Sequence, residues 1–493
     1  MTGGAHRIAV RTVMTAVSTS LLNLANATLP LTPLGLPLAT VPLDDRTQTV
    51  RVFDSNLRTP YVQNWNFTIQ REVFKNATLE VRYVGNKGTK LIRGANINEQ
   101  NIFASAFGET LLDAFKAVQE GRDSVMMDRI FNGLNLGTGV INGTTIRAGA
   151  GLRSNTNTQT FFVNNNVAGL AGYINNTNQL TGVRGQLLRR AGLPENFFVG
   201  NPQFTAASYT GNLANSSFHS FQLDFNHRFS HGVLLQSNYT WSKALGEEEG
   251  ASQEQLDSYR DGRNRRLDKR LLTFHTPHVW RTNGVVELPL GPGRKLFSNA
   301  PKPVARLIER WQFGLIYNKF AGSPLALTGV VGTYNQFTGN TPTLVGDFPR
   351  NLGRATKLDN GMVLFPNLKL VSDPSRNRME SVVLSPRSTL QAVADASGKI
   401  LLINALPGQP GSLQEQYLTG PGTFRFDVNL VKRITVRETW AFELRADLIN
   451  LTNTPQIDDY VNQINTDINS VNFGRITGAG GNRIAVLGLR LNF

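Results

Sequence analysis

The chain lacks cysteine altogether. Without thiols it can form neither a disulfide framework nor a metal site built from thiolates. The absence fits a protein that is assembled through an oxidising compartment, although many other proteins also lack cysteine.

Long apolar runs are missing as well. No stretch approaches the ~20 consecutive apolar residues of a membrane-spanning helix, and the mean hydropathy is −0.21. These features argue against an α-helical membrane protein. A transmembrane β-barrel is not excluded, because its strands place apolar residues only at alternate positions and its mean hydropathy stays low.

Motifs of the common catalytic classes are also absent. The sequence contains no H-E-x-x-H, no P-loop and no G-x-S-x-G. The histidine pairs His227 with His231 and His275 with His278 are interpreted as exposed turn residues rather than metal ligands. We therefore predict a protein that is not an enzyme and has no catalytic residue, cofactor or metal site.

Acidic residues are fewer than basic ones, and the formal net charge is +15. Such a balance raises the hypothesis of a nucleic-acid-binding protein, which would interleave basic residues with exposed aromatics on one surface. Here the aromatic residues follow a strand pattern, and the basic residues are spread between polar faces and loops. We therefore expect no nucleic-acid partner.

What the sequence does contain is apolar and polar residues in alternation, which indicates β-strands. Apolar residues alternate with polar ones from Asn64 to Gln70, and the pattern resumes from Ala77 to Tyr83 after a short turn. The same pattern predicts further strands, for nine in all. They lie near 221–226, 233–241, 278–289, 309–321, 424–430, 440–448 and 483–493.

The predicted strands run for about 9 to 13 residues in full, and this length favours strands that cross a membrane. Tilted strands that cross a bilayer need ~9–11 residues, whereas globular strands are usually ~5–6 residues long. Charges such as Arg425 and Asp427 on the polar face would then line a wet interior. The alternative interpretation is a soluble sandwich whose polar faces point to solvent.

Connection lengths support the same fold. The connections within hairpins are mostly short, at 74–76, 230–232 and 433–437, and one near 290–308 is longer. Short periplasmic turns alternating with long extracellular loops are typical of outer-membrane barrels. We therefore predict an all-β fold, an antiparallel transmembrane β-barrel over 56–493. Its long extracellular loops are expected at about 86–216, 243–276, 322–421 and 451–482.

The tryptophans all fall near predicted strand ends. Aromatic girdles at the two membrane interfaces would place them there, and ordinary packing of aromatics across strands is the alternative. We predict interfacial positions for Trp65, Trp241, Trp280, Trp311 and Trp440.

Some connections carry local patterns. Residues Thr110–Phe131 have apolar residues at helical spacing, whereas Asn155–Asn178 is rich in Asn and Thr and is predicted to be a polar loop. The apolar runs at 362–365 and 400–403 predict one or two further strands.

The densest basic run follows an acidic run at 247–249. In a barrel both runs would lie on one extracellular loop, where the basic residues are candidates for contact with anionic lipopolysaccharide or an anionic ligand. A solvated loop with internal ion pairs is the alternative. The basic residues are Arg260, Arg263, Arg265, Arg266, Lys269 and Arg270.

The first 55 residues are predicted to be loop-like. Residues 1–27 have basic residues, a mildly apolar run and small residues in the order of a signal peptide. The apolar run is polar for that purpose, and the preferred interpretation is the inside of a loop of a longer sequence.

Several segments, taken together and in order, resemble the C-terminal barrel of Oar-like TonB-dependent receptors over about 55–493. The segments are Leu57–Asn66, Ile69–Glu72, Val81–Gly85, Gly88–Leu91, Asn238–Ala244, Glu287–Gly291, Asn450–Asn453 and Asn472–Ile476.

The resemblance implies the last part of a 22-stranded barrel in the bacterial outer membrane. It also implies a plug, a TonB box and coupling to the inner-membrane TonB complex. Neither a plug nor a TonB box is recognisable here, so an incomplete receptor is expected. Leu489, Leu491 and the terminal Phe493 look like the signal that the barrel-assembly machinery reads.

The sequence therefore supports two hypotheses about the function. One is that of a TonB-dependent receptor-like barrel for the uptake of a large solute. The other is an outer-membrane barrel with a surface-interaction or adhesion role through its extracellular loops. Both predict outer-membrane lipid and lipopolysaccharide as partners.

Overall fold

The structure of the chain is a computed structural model. It describes residues 42–230, 232–247, 259–336, 340–348, 355–359, 361–437, 440–457 and 464–492. The signal-peptide interpretation of 1–27 and the terminal Phe493 lie outside these residues.

The main sheet contains ten longer strands and the short strand Arg270–Leu271. The longer strands are β1 (Gln48–Phe53), β2 (Tyr61–Phe74), β3 (Ala77–Asn96), β4 (Phe204–Ser230), β5 (Val233–Gly246), β6 (His278–Glu287), β7 (Trp311–Phe320), β8 (Thr423–Arg437), β9 (Trp440–Ile449) and β10 (Ile484–Asn492).

Strands β2 to β10 follow one another across the sheet in chain order, and each neighbouring pair is antiparallel. These are the nine strands that the alternation predicted, so that prediction is confirmed. Among the described strands, β2 and β10 do not pair with each other, and the sheet is open.

Strand β1 differs from the prediction of a loop-like segment over 1–55. It pairs in parallel with β4, with Thr49 opposite Ala206 and Phe53 opposite Thr210. The early part of β4 is free to accept β1 because β5 pairs with β4 only from Ser216 onward. This pairing depends on residues about 150 positions away, so no local pattern could predict it.

The first long connection is shorter than the expected 86–216, because β3 continues to Asn96 and β4 begins at Phe204. Strand β3 has 20 residues, about twice the length that a bilayer requires. Beyond the expected bilayer both faces carry polar residues such as Lys87 and Ser216. The alternation is lost there, although the ladder of hydrogen bonds continues past a register shift.

The short turns join the strands at one of their two ends, and the long connections join them at the other end. We call these the turn end and the connection end. Lys75 and Asn76 join β2 to β3, and Asn76 has a φ of 64°, a value that asparagine tolerates in tight turns. Strand β8 runs on to Arg437, so residues 433–437 are strand and not the turn expected there. Residues 438–439 lie outside the described part.

The expectation of an all-β fold is wrong in detail, because the connections contain helices and the fold is only mostly β. The helices are α1 (Leu111–Gln119), α2 (Val125–Ile130), α3 (Ala148–Ser154), α4 (Thr156–Val163), α5 (Val167–Asn176), α6 (Gln186–Arg190) and α7 (Lys302–Ile308). Helices α1 and α2 confirm the helical spacing of 110–131.

Helices α4 and α5 replace the polar loop predicted over 155–178. Asn155 and Asn166 are their N-caps, and the two side chains accept hydrogen bonds from the backbone N–H groups of Asn157 and Gly169. Asparagine is thus used for helix capping here. The prediction failed because composition alone does not separate a capped helix from a loop.

Two hydrophobic cores lie in the long connections rather than against the sheet. The first joins α1–α6 to Met379, Leu384 and Leu390 of the connection between β7 and β8. The second joins that connection to the one between β9 and β10, through residues such as Leu402 and Ile468. The connections therefore fold together into one cover at the connection end.

Short strands complete the cover. The predicted strands near 362–365 and 400–403 are confirmed as Gly361–Val363 and Ile400–Ile403. Both belong to small sheets of the connections and not to the main sheet. In the described part of the chain no helix has the length and apolarity needed to cross a membrane.

One face of the main sheet is apolar and uncovered. Phe67, Trp241 and Leu487 on this face are 65%, 58% and 84% exposed. Neither core cluster includes a residue of β2–β10, so the described residues supply no second layer that packs on this face. A soluble sandwich would bury these side chains against a second sheet.

Candidate functional site

The opposite face of the sheet collects the charges of the strands. Pair by pair, the register places every acidic residue of the described strands β2–β10 on this second face. The residues are Glu72, Glu80, Asp224, Glu287, Asp427, Glu443 and Asp447. Because successive side chains of a strand alternate between faces, this charged face is distinct from the apolar face.

Arginines pair with these carboxylates along the face. Arg425 Nε lies 2.9 Å from a carboxylate oxygen of Asp427, and Arg445 Nε lies 2.8 Å from one of Asp447. The two arginine side chains are 46% and 52% exposed, so each pair contributes little to stability. The pairs instead present fixed donors and acceptors to whatever occupies the space above the sheet.

A cavity of about 460 Å³ lies over β5–β10 on the charged face. Gly314 lies in its floor, and the Asn429 Oδ1 atom would be 2.2 Å from a Cβ at that position. A glycine is therefore needed for Asn429 to lie across β7. The remaining polar lining is Asn283, Arg425, Asp427, Arg445 and Asp447, beside the apolar Leu234, Ile316, Ile449 and Val486.

A second cavity, of about 190 Å³, lies over β3–β6 and is mostly polar. Its lining includes Glu80 with its ion-pair partner Arg82, and Asp224, whose carboxylate accepts a hydrogen bond from Asn226 at 2.6 Å. Both cavities offer paired charges and amides, a chemistry that suits hydrogen bonding to polar solutes and that contains no nucleophile aligned with a base.

The connection end holds a buried ionic cluster. Arg93 Nη2 lies 3.2 Å from Asp268 Oδ1, with both side chains at most 1% exposed. Arg270 Nη1 lies 2.5 Å from Glu415 Oε2, and Arg260 Nε lies 3.6 Å from Glu415 Oε1. The cluster ties strand β3 to the connections on both sides of β6 and β7.

Burial dominates the electrostatics of this cluster. Burial raises the pKa of Asp268 above its ordinary value, although the nearby Arg93 opposes the shift. Burial likewise raises the pKa of Glu415 against the effect of Arg270. The pKa of Tyr259 rises to about 12, mainly through burial, while its ring lies 3.8 Å from the guanidinium carbon of Arg93.

The predicted basic ligand contacts divide into two groups. Arg260 and Arg270 are 5% and 8% exposed and belong to the ionic cluster, so they are directed away from external anions. Contact with lipopolysaccharide or another anion stays a prediction for the exposed residues, which are Arg263, Arg265, Arg266 and Lys269. Of the acidic run at 247–249, residues 248 and 249 lie outside the described part of the chain.

The predicted interfacial tryptophans lie on the apolar face at two levels. Trp65, Trp241 and Trp280 lie toward the connection end, and Trp311 and Trp440 begin their strands at the turn end. Trp280 packs edge-on against Tyr317, with 5.1 Å between ring centres. Both levels are therefore aromatic, and their position at membrane interfaces remains a prediction.

The described residues of the predicted assembly signal lie on the apolar face. Leu489 and Leu491 are paired with Leu444 and Phe442 of β9 and are 68% and 39% exposed. Phe493 itself lies outside the described residues.

The described histidines have protein partners, and His275, at 5% exposure, is buried and is not an exposed turn residue. His275 Nδ1 accepts a hydrogen bond from the backbone N–H of Ala244 at 3.3 Å, and His278 Nδ1 lies 2.8 Å from Tyr239 Oη. Across the part of the chain that the structure describes, no group of three His, Cys, Asp or Glu residues is placed to hold a metal ion. His231 is outside that part.

Sequence reasoning missed the ionic cluster and the cavities. Their members come from separate connections, and no spacing in the sequence links Arg93 to Asp268. The only available signal was the pairing of arginine and acid at alternate positions, as in Arg425 with Asp427.

A comparison with known protein families finds one family that matches the chain. Residues 8–485 match the sequence model of the family described as "Outer membrane beta barrel domain". No curated protein matches the chain.

Solved outer-membrane transporters show only a distant likeness. For the outer membrane transporter YddB from Escherichia coli, the identity is 9%, the match covers 91% of this chain and 34% of that chain, and the TM-score is 0.31. For the copper transporter OprC the values are 7%, 90%, 33% and 0.29. The chain thus spans about a third of these structures.

Proposed function

The chain belongs to the outer membrane beta barrel domain family and lies in the bacterial outer membrane, and from this premise we propose that it forms the wall of a solute-uptake barrel similar to TonB-dependent receptors. The apolar face would meet lipid, the charged face would line the wet interior, and the folded connections would cover the interior on the outside of the cell.

One observation carries this proposal: the charges and the exposed apolar side chains occupy opposite faces of the same strands. Phe67 and Ile69 are 65% and 56% exposed, although burial of such side chains is worth about 1.5–3 kcal/mol each. Lipid would bury them without a second protein layer. The charges on the other face would require water or a polar occupant.

Length agrees with a spanning role. Strand β7 has 10 residues, which is within the ~9–11 residues of a tilted spanning strand. Strands β3 and β4 have 20 and 27 residues and would project beyond the membrane. Their projecting parts would carry the cover, which is why we place the connection end outside the cell.

The cover and the charged interior together support the proposal that the barrel takes up a large solute. A solute would reach the cavities at Arg425 and Arg445 only after the cover opens or shifts. Energy for such a step is supplied to TonB-dependent receptors by the inner-membrane TonB complex, which is therefore the proposed partner. The barrel-assembly machinery would be the partner during insertion, through Leu489, Leu491 and Phe493.

The folded cover also favours a second function, a surface-interaction or adhesion role. The connections have their own hydrophobic cores and would persist as a structured surface. Val382 and Val471 are 78% and 80% exposed on this cover, where a partner could bury them.

Cysteine labelling tests the orientation of the faces. Because the chain has no cysteine, single substitutions give unambiguous labelling. Val428→Cys and Asn429→Cys are neighbours on opposite faces of β8. In lipid vesicles that contain the full chain, a charged thiol reagent should modify Asn429→Cys rapidly and Val428→Cys slowly. Equal rates at the two positions would refute the proposal.

A deletion separates transport from adhesion. Replacing 100–199 by a short flexible linker removes α1–α6 and the first core. A covered transport barrel predicts that the permeability of outer membranes to large polar solutes rises. A purely adhesive barrel predicts unchanged permeability and a loss of binding to surfaces. Replacing 291–307 at the turn end is the control and should leave both properties unchanged.

A further inference from the structure

Two tyrosine–histidine pairs on the apolar face have the same geometry. Tyr83 Oη lies 2.7 Å from His219 Nδ1, and Tyr239 Oη lies 2.8 Å from His278 Nδ1. The ring centres are 6.2 Å and 6.1 Å apart, and both interplanar angles are 23°. The arrangement therefore occurs twice, on β3 with β4 and on β5 with β6.

The register explains the repetition. Tyr83 lies opposite Phe221, and Tyr239 lies opposite Trp280. In each case the histidine is the next residue on the same face beyond that aromatic, toward the connection end. Cross-strand diagonals of this kind are within reach of aromatic side chains.

A lysine accompanies each pair. Lys87 is the second residue on the apolar face beyond Tyr83, and Lys243 is the second beyond Tyr239. Lys243 also lies directly opposite His219, so the two sets are neighbours on the sheet. Both lysines and both histidines are exposed. Among the described residues, neither ammonium group forms an ion pair with a carboxylate, and all acids of β2–β10 lie on the charged face. Each Tyr–His–Lys set therefore presents uncompensated positive charge toward the outside of the sheet.

The distance of the two lysines from the turn end places both of them at the same membrane–water interface. Lys87 and Lys243 each lie ten residues from the first residue of their strand at the turn end, Ala77 and Val233. Ten residues extend about 33 Å along a strand, or about 25 Å along the membrane normal for a tilt of about 40°. The apolar band of an outer-membrane barrel is about 25 Å tall, so the ammonium groups reach the headgroup level.

The hydrogen bond from tyrosine prepares the histidine as a donor. If Tyr83 Oη donates to His219 Nδ1, the proton of the neutral ring lies on Nε2, which is then free to donate outward. The same holds for Tyr239 and His278. A Nε2–H donor beside an ammonium group is suited to an oxygen-rich anion such as a phosphate.

We propose that the two sets, Tyr83–His219–Lys87 and Tyr239–His278–Lys243, each bind a phosphate group of a lipid in the outer leaflet. The proposal rests on the orientation proposed above, with the connection end outside the cell. Lipid is the phosphate source that we favour because the sets face outward beside Trp65 and Trp241, which are 39% and 58% exposed. Free phosphate is strongly hydrated and is not expected to concentrate at an apolar surface.

Lipid retention by the full chain in detergent micelles tests the proposal. The probes are lipid A with its phosphates, the same lipid after removal of its phosphates, and inorganic phosphate as a competitor, with bound lipid counted by native mass spectrometry. The test variant is Lys87→Gln with Lys243→Gln. The control is Lys295→Gln with Lys302→Gln, which removes two exposed lysines at the turn end.

We expect affinity for phosphorylated lipid A to fall about fivefold for each test lysine, the fold-change that corresponds to about 1 kcal/mol per basic residue at an anionic surface. The control should change affinity by less than about twofold, since its lysines lie far from the proposed sites. Tyr83→Phe with Tyr239→Phe keeps both rings but removes the hydroxyls, and should weaken retention of the phosphorylated lipid.

Three outcomes would overturn the inference. They are equal retention of the lipid without phosphates, an equal effect of the test and control lysines, and displacement of the lipid by inorganic phosphate, which would mean a free-anion site. Insertion of each variant into lipid vesicles is measured in parallel. Insertion with unchanged lipid A binding overturns this inference alone, whereas failure of the parent chain to insert overturns the proposed function as well.

Discussion

Arg93 and Asp268 form a buried ion pair between residues that are 175 positions apart in the chain, with Nη2 3.2 Å from Oδ1. Arg93 belongs to the projecting part of β3, and Asp268 belongs to the connection between β5 and β6. The pair therefore fastens the cover to the sheet, together with Arg260, Arg270 and Glu415.

Arg93→Gln should loosen this connection strongly. Removal of Arg93 leaves the Asp268 carboxylate buried without its compensating charge, which costs about 3–5 kcal/mol. We expect faster amide hydrogen exchange and faster proteolysis over 259–271 in the full chain. Arg263→Gln is the control, because Arg263 is 69% exposed and lies 3.6 Å from Asp261. Its loss should cost at most about 1 kcal/mol, and an equal effect of both substitutions would contradict the prediction.

The cover should respond to pH through Glu415 with a defined sign. Burial raises the pKa of Glu415 above its ordinary value of 4.5, so its carboxyl binds a proton more tightly in the folded than in the unfolded chain. Its contribution to the free energy of unfolding is full below 4.5 and is lost as the pH rises through the raised pKa. We therefore expect the parent chain to gain stability relative to Glu415→Gln as the pH falls toward 4.5.

Asp113 provides the opposite slope as a control. Its hydrogen bond with the Thr110 side chain lowers its pKa from 3.8, so its contribution is present above that value and is lost as the pH falls through the lowered pKa. Relative to Asp113→Asn, the parent chain should lose stability on acidification. Amide hydrogen exchange of the cover between pH 3 and pH 7 measures both slopes, and slopes of the same sign would rule out this account.

The five tryptophans should report two interfacial levels. In vesicles, single-tryptophan variants should be quenched more by lipids brominated near the headgroup than by lipids brominated near the bilayer centre. Quenchers confined to one leaflet should distinguish Trp65, Trp241 and Trp280 from Trp311 and Trp440. Maximal quenching at the bilayer centre for most of the five would refute the girdle assignment.

Gly411 should be intolerant of a side chain. Its φ is 79°, and a Cβ would lie 1.9 Å from the backbone oxygen of Thr341. Gly411→Ala adds a backbone clash to the left-handed strain of about 1–2 kcal/mol, so the second core should open more readily. Gly398 has a φ of 92° with nothing within 4 Å of a Cβ, so Gly398→Ala should show the strain alone. Thermal unfolding of the two variants compares them directly.

The cover illustrates how far sequence patterns reach. Helix α1 was predictable because its apolar residues recur at helical spacing, a property of neighbouring residues. Helices α4 and α5 were not, because their asparagines act as caps only once the helices pack on the first core. The lipopolysaccharide assignment of the basic run likewise ignored burial, which removed Arg260 and Arg270 from the surface.

The sequence by itself determined the nine long strands β2–β10, their order and the face on which each side chain lies. Alternation and turn length are local properties, and a strand displaced by one residue would exchange its two faces. Only the tertiary structure decided the parallel pairing of β1, the two cores of the cover and the ionic cluster at Asp268. Each of these depends on contacts between segments that are distant in the chain. The free-energy cost of burying a charge depends on which residue pairs with it.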